Sequence, residues 1–274
     1  MIRRRVPRLS SLIAAVVFAA LYAPIVLVLL NSFNSDSSLV GWGGFTTRWY
    51  HSVTSDSRVK DAFVTSLEVA ALSTVISLAI AVAAGLWARS ASSRGRRLLD
   101  GATYLRIVLP EIVFALGLFL LATKLGLKLG VAMIVIGHVV FNSAYATIIV
   151  QARLATLSRT VEEAAADLGA TPWRAFRRVT LPLLMPAVLV AGLLTFTFSF
   201  DDVIVSQFLG GTNAETLPVL LLGKIRLHVT PEVNAIGAGV MLITLVSFAM
   251  AALVAVMRPT GAGSLLGLGR RASP

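Results

Sequence analysis

Residues 162–182 read EEAAADLGATPWRAFRRVTLP and separate two strongly apolar runs. The stretch divides at Gly169 into two short helical segments. Thr160 is expected to cap the first, from Val161 to Leu168, with Glu162 and Glu163 in the first turn, where acids favour the positive end of the helix dipole. Gly169 suits a helix-ending position because it accepts positive φ without a side-chain clash. Thr171-Pro172 then restarts the chain as a cap followed by a first helical residue, and the second segment should run to about Thr180. Pro182 marks the expected entry to the next apolar run, with Pro186 inside it. Such a pair can lie on a membrane surface, with Arg174, Arg177 and Arg178 facing anionic lipid. It can equally be a docking knob, in which three consecutive alanines allow close approach and Trp173 and Phe176 add apolar contact. The residues alone leave both uses open.

The surrounding chain is of membrane type. Of 274 residues, 57% are hydrophobic and 14% charged, whereas soluble domains carry roughly 25% charge. The net charge of +11 does not point to nucleic acid, because the basic residues punctuate long apolar segments rather than lining one surface. No zinc-finger, helix-turn-helix or RNA-binding signature is present. Without cysteine, disulfides, thiol catalysis and cysteine metal sites are excluded. His51, His138 and His228 are too scattered for a metal cluster, so neither metal nor cofactor is expected.

A helix needs about 20 apolar residues to cross a hydrocarbon core of roughly 30 Å. Six segments qualify, at about 11–31, 65–88, 102–122, 130–151, 184–208 and 236–257. Each should be helical, since a lone span satisfies its backbone only internally. The first has a basic head like a secretory signal, but its apolar body is too long for a signal core and it reads as a retained helix. Basic residues set the orientation. With the N-terminus inside, sixteen lie on the cytoplasmic side and seven outside, leaving Arg106 within the third span. The positive-inside rule therefore places both termini and the 152–183 link in the cytoplasm. Residues 1–10 then form a cytoplasmic N-terminus, 11–257 the transmembrane domain, and 258–274 a disordered cytoplasmic tail. The external links 32–64 and 209–235 have room for short surface helices.

The quoted stretch resembles the cytoplasmic "EAA" loop of permease subunits from bacterial ATP-binding-cassette importers. That pattern is E-A-A, three variable residues, G, nine variable residues, an aliphatic residue, one variable residue, then L-P. Glu163, Ala164, Ala165, Gly169, Val179, Leu181 and Pro182 fill its positions, with Val179 at the usual isoleucine place. The resemblance implies an all-α type I importer permease whose loop seats in a groove of a separate ATPase. The chain has no G-x-x-x-x-G-K-[ST] phosphate loop and no nucleophile, base or metal constellation that outranks packing, so it reads as a non-catalytic subunit. The resemblance further implies a homologous partner permease, two cytoplasmic ATPase subunits, an extracytoplasmic solute-binding protein and membrane lipid around the spans.

Ionisable residues within spans are expensive and mark either structural pairs or a path. Asp201 and Asp202 stand in TFTFSFDDVIVSQF, and Glu111 follows Pro110 in the third span. The structural use would pair Arg106 with a carboxylate, or Asp201 with a backbone amide at a helix break. The functional use is an acidic path for a cation, since adjacent like charges in low dielectric need a compensating partner. One aspartate is expected to line the path and the other to hold a helix contact. Glu68 begins the second span. His138, in IGHVVFNSAY, reads as a hydrogen-bonding core residue, with Asn142, Ser143 and Tyr145 as partners. Pro24, Pro110 and Pro186 lie within or beside spans and are expected to kink them.

The segments LYAPIVLVLLNSFN with GFTTRWY, LPEIVFALGLFLL, and FSFDDVIVSQFLGG with TLPVL and PEVNAI are similar to the second permease subunit of the spermidine and putrescine importers. This resemblance covers most of residues 20–257. It implies polyamine import, with Asp201, Asp202 and Glu111 as path candidates. Alternatives are another solute moved by the same machine (an opine-like compound, an amino-acid derivative or thiamine), a proton-coupled carrier, or a scaffold that only anchors a complex.

Overall fold

In a computed structural model, residues 8–37, 41–212 and 214–257 are described, and all regular elements among them are helices apart from one isolated bridge, Asn34 to Phe45. The expected tail 258–274 and most of the expected N-terminal segment lie outside the described residues. The helices are α1 (Arg8–Asn31), α2 (Arg48–Ser55), α3 (Ser57–Ser90), α4 (Ser93–Val108), α5 (Glu111–Lys124), α6 (Val131–Thr156), α7 (Thr160–Asp167), α8 (Pro172–Ala175), α9 (Leu181–Phe200), α10 (Ile204–Leu209), α11 (Leu217–Leu227) and α12 (Pro231–Met257).

Among the described residues, four helices are long and apolar enough to cross a membrane singly: Leu12–Asn31, Ser57–Ser90, Val131–Thr156 and Pro172–Phe200. The third expected span differs, for it is two helices, α4 and α5, that meet at 103°. Pro110 is the reason. A proline has no N–H to donate and its ring pushes the preceding residue out of the helical region, and Leu109 is extended at φ −65°, ψ 123°. Among the described residues, counting the bent pair as one gives up to five spans where six were expected; the sixth expected segment lies in α12. The fifth expected span also ends early. It stops at Phe200, and the chain turns through Asp201–Val203 before α10 begins.

The second half of the quoted stretch is not a separate helix. Pro172–Ala175 passes through a π-helical turn at Phe176–Thr180 straight into α9, with the Leu181 N–H bonded to the Phe176 carbonyl. Pro182 cannot donate to Arg178, and its ring would crowd that carbonyl; the wider turn absorbs both faults. Pro182 therefore lies within a continuous helix rather than at a break.

The described chain divides into two compact units. One gathers the residues up to Lys60 with Leu220–Ile243. Its α1 is apolar all round, as a helix in lipid must be. The link after α1 is tied around buried Asn34, whose amide donates to the Gly41 carbonyl at 2.6 Å and accepts from the Gly43 N–H at 2.9 Å. Trp49 Nε1 donates to the Asn34 carbonyl at 2.7 Å. The short helices α2 and α11 occur in the 32–64 and 209–235 links, where room for such helices was expected. Lys224 on α11 donates to Glu232 at 2.7 Å and lies 3.5 Å from Asp56. Partial burial acts to lower its pKa, but the Glu232 hydrogen bond and charge, then Asp56, outweigh burial and hold it above the usual lysine value.

The other unit gathers Asp61–Val219 with the described residues from Thr244 onward, and α6 is its central helix. Ala81, Ala146, Val150, Leu154, Leu184 and Ala191 form one cluster from α3, α6 and α9. Val69, Ala115, Met133, Ile134, Val205 and Leu209 belong to a second, from α3, α5, α6 and α10. Alanines recur in both clusters because helices in lipid gain little from burial and much from close backbone approach. Gly137 on α6 shows how close: a Cβ there would lie 2.6 Å from Val205 and 2.8 Å from Leu209.

Candidate functional site

The expected site residues fall in two groups in the second unit: the loop at 160–182 and a set of charged groups where α4, α5, α6 and α10 approach.

In the loop, α7 starts one residue earlier than expected. Arg159 holds the cap position without a side-chain bond, and Thr160 is already helical, with its N–H held by Ser158 Oγ at 3.2 Å. The far end follows the sequence reading. Gly169 has φ +79°, the Gly169 N–H bonds to the Ala166 carbonyl at 2.8 Å, and the Ala170 N–H to Ala165 at 3.0 Å. This pair of bonds is a Schellman motif, which needs a left-handed residue at the glycine position. Thr171 caps the restart by accepting from the Arg174 N–H at 3.4 Å.

The two adjacent glutamates have different environments. Glu162 is anchored: it accepts from Arg89 at 2.7 Å and from Thr180 Oγ1 at 2.8 Å. Arg89 also donates to the Leu157 carbonyl at 3.0 Å, and Arg159 donates to the Arg89 carbonyl. Glu162 thus ties α7 to the end of α3 and to the π turn. Glu163 and Ala164 are exposed, Ala165 is half-buried, and Leu168 is 89% exposed. Trp173 is exposed beside Phe176, with ring centroids 5.5 Å apart. Val179 and Leu181 are half-buried and Pro182 exposed. The result is a stiff helical pair presenting an acid, a small-residue surface and two large apolar side chains. Sequence reasoning missed Arg89, Glu162 and Thr180 as the tether. It also missed Leu168, whose position just before a helix-ending glycine was the available signal.

The charged groups resolve the Asp201-Asp202 pair. Asp201 ends α9, its N–H bonded to Thr197 at 3.1 Å, and its residue is exposed. The Asp202 side chain is buried and caps α10, accepting from the Val205 N–H at 3.2 Å and the Ser206 N–H at 3.1 Å. The backbone amides expected for Asp201 therefore belong to Asp202, because the chain turns one residue before it. Asp202 also lies 3.5 Å from His138 Nε2.

His138 is a buried hydrogen-bonding residue, but with partners other than those expected. Its Nδ1 pairs with Ser199 Oγ at 2.6 Å, Ser199 pairs with Ser73 Oγ at 2.8 Å, and Ser206 Oγ lies 3.5 Å from Nε2. Asn142 instead donates to the Thr195 carbonyl at 3.3 Å. Spacing on one helix had suggested Asn142, Ser143 and Tyr145, but the serines that meet His138 come from α9 and α10, with Ser73 of α3 behind Ser199. Glu111, the first residue of α5 beyond the Pro110 break, lies near enough to Asp202, Arg106 and His138 to interact with them electrostatically. Glu68 is exposed on α3.

Arg106 does not form the expected carboxylate pair. It is 8% exposed, and none of its three guanidinium nitrogens has a hydrogen-bond partner. Its head lies 4.1 Å from the ring centroids of both Phe114 and Phe141. A cation at a membrane helix centre costs about 2.5–3.5 kcal/mol on insertion scales. Each cation–π contact returns about 0.5–2 kcal/mol, so two rings and a nearby Glu111 charge can offset most of that cost. Phe141 continues into an aromatic group with Tyr145 and Phe198, at centroid distances of 5.3 and 6.5 Å. Among the described residues, no group of three or more His, Cys, Asp or Glu could hold a metal ion.

The family described as "Binding-protein-dependent transport system inner membrane component" matches residues 76–259. The chain is 36% identical over 226 residues to the putrescine transport system permease protein PotI of Escherichia coli (strain K12), covering 80% of each. It is 34% identical over 239 residues to the spermidine/putrescine transport system permease protein PotC of the same organism, covering 87% of this chain and 90% of that one. A solved bacterial ABC transporter involved in the import of the acidic polysaccharide alginate shares the fold, with a TM-score of 0.67 at 16% identity over 89% of this chain and 94% of that one. The exposed loop, the apolar helices and these matches converge: the chain belongs to the family of binding-protein-dependent transport system inner membrane components, as the permease subunit of an ABC-type importer.

Proposed function

We propose that this permease subunit forms half of the path by which polyamines, spermidine or putrescine, cross the cytoplasmic membrane of a bacterium. The similarity to two polyamine permeases over four-fifths or more of the chain carries the reading. The acidic residues Asp201, Asp202 and Glu111 support it, because a polycation compensates carboxylates that are costly to leave charged in low dielectric. Asp201, the exposed member, lines the path; Asp202 holds the α10 turn beside it; and Glu111 presents its carboxyl at the α4–α5 break.

The full architecture has six spans, with α4–α5 as the broken third, α12 as the sixth and both termini in the cytoplasm. A homologous permease supplies the other half of the path. Of two ATPase subunits, one engages Glu163, Ala164, Ala165, Gly169 and the Val179-x-Leu181-Pro182 segment and the other serves the partner permease, and an extracytoplasmic binding protein delivers the solute. A stiff helix pair continuous with α9 transmits displacement from the ATPase that a flexible loop would absorb.

The test is ATP-driven uptake of labelled spermidine and putrescine into liposomes holding the chain with its operon partners and binding protein, with unlabelled amino acids and opine-like compounds as competitors. Saturable polyamine uptake that Glu163→Lys abolishes supports both substrate and coupling contact. ATP hydrolysis stimulated by the binding protein without polyamine uptake overturns the substrate.

A further inference from the structure

The Arg106 guanidinium is a strong cation, buried where the chain's carboxylates gather, and it has no hydrogen-bond partner. An arginine placed only for structure would have its five N–H donors satisfied, because an unmet donor in a dry interior keeps its full desolvation penalty. Here the partners are aromatic faces and a diffuse field: Phe114 and Phe141 at 4.1 Å each, with Glu111 and Tyr145 near enough to interact electrostatically. Aromatic faces with a carboxylate nearby form a general site for an ammonium-type cation, as in the cages that hold quaternary and methylated amines. The side chain filling that site is tethered to α4, immediately before the Pro110 break, while the site itself belongs to α5 and α6.

We propose that the Phe114–Phe141 site binds an ammonium group of the transported cation, and that Arg106 is an internal cation occupying it until the cargo displaces it. The inference rests on the polyamine reading above. Displacement explains why the guanidinium is held by ring faces alone: such contacts are exchanged for another cation without leaving specific donors and acceptors broken. The cost of moving Arg106 aside enters the observed affinity, since a site competent in only a fraction of molecules binds more weakly by that fraction. Its return helps expel the cargo, so Arg106 weakens binding and speeds release.

The experiment compares wild type with Arg106→Met, which removes the charge at similar length, and Arg106→Lys, which keeps it. Equilibrium dialysis of labelled putrescine and spermidine against the permease–ATPase complex without its binding protein reads affinity at the path. Uptake by the complete system reads turnover. The methionine variant is expected to bind at least about tenfold more tightly and to turn over more slowly, while the lysine variant stays within about threefold of wild type. Arg106→Gln carries the same expectation if the methionine variant does not assemble. Unchanged or weaker binding in the neutral variants, or equal behaviour of lysine and methionine, overturns the displacement role while wild-type uptake upholds the cargo. Absence of polyamine uptake by the wild type overturns the cargo, and the displacement with it.

Discussion

The 160–182 loop and the Arg106-Glu111-His138-Asp202 group use charge in opposite ways. The loop keeps one glutamate, Glu162, for itself and turns the next, Glu163, outward with Leu168 and Trp173. Its internal bonds are local or reach one neighbouring arginine, so its exposed residues are free to serve a partner. The buried group turns nearly everything inward: Asp202 caps a helix and faces a histidine, which bonds a serine that bonds another. A substitution on the loop's outer face should therefore cost function without stability, whereas one in the buried group should cost both.

The largest effect expected is Glu163→Lys, which reverses charge on an exposed position at the contact proposed for the ATPase. Uptake should fall about 100-fold, near the upper end of ordinary coupling energies, with an unchanged thermal unfolding midpoint in nanodiscs. A lowered midpoint would break the comparison. Asp202→Ala should lower stability by about 2 kcal/mol, because it removes both capping bonds to α10 and the carboxylate facing Nε2 of a buried histidine. A midpoint equal to wild type would show that the capping bonds contribute nothing net.

Gly137→Ala sharpens the packing side of the contrast. Its new Cβ would press on Val205 and Leu209, and the overpacked α6–α10 contact should cost about 1.5 kcal/mol. Gly169→Ala tests the loop by shape rather than charge: at φ +79° a side chain is strained by about 1 kcal/mol, although nothing nearby would clash. Uptake should fall more than the midpoint does, because the strain redirects the second half of the knob. The smallest effect concerns Lys224. Its folded pKa is raised, so its contribution is present in full below the ordinary lysine pKa of about 10.4 and is lost as pH rises through the folded value. Lys224→Met should flatten the alkaline limb of a stability profile and leave neutral pH uptake in place.

The loop was readable because its determinants are local. A glycine needing positive φ, a Thr-Pro restart and acids in a first turn act over a few residues, and each is found at or within one residue of its expected place. The apolar spans were readable because lipid demands length and hydropathy alone. The breaks were only partly so. Pro110 splits a span whereas Pro182 and Pro186 stay inside a continuous helix, and at Pro182 the preceding π turn, with its i→i−5 bonding, takes up the missing bond.

The sequence by itself determined an all-helical membrane chain, the helix pair at 160–182 and which residues carry charge into the spans. Tertiary structure alone decided the partners of those charges. Asp202 rather than Asp201 became the cap, His138 took serines from α9 and α10, and Arg106 settled on two rings instead of a carboxylate. The physical reason is range. Helix ends and spans are fixed by backbone geometry and solvent over a few residues, whereas a buried charge is satisfied by whichever group packing brings within about 4 Å, across any distance in sequence.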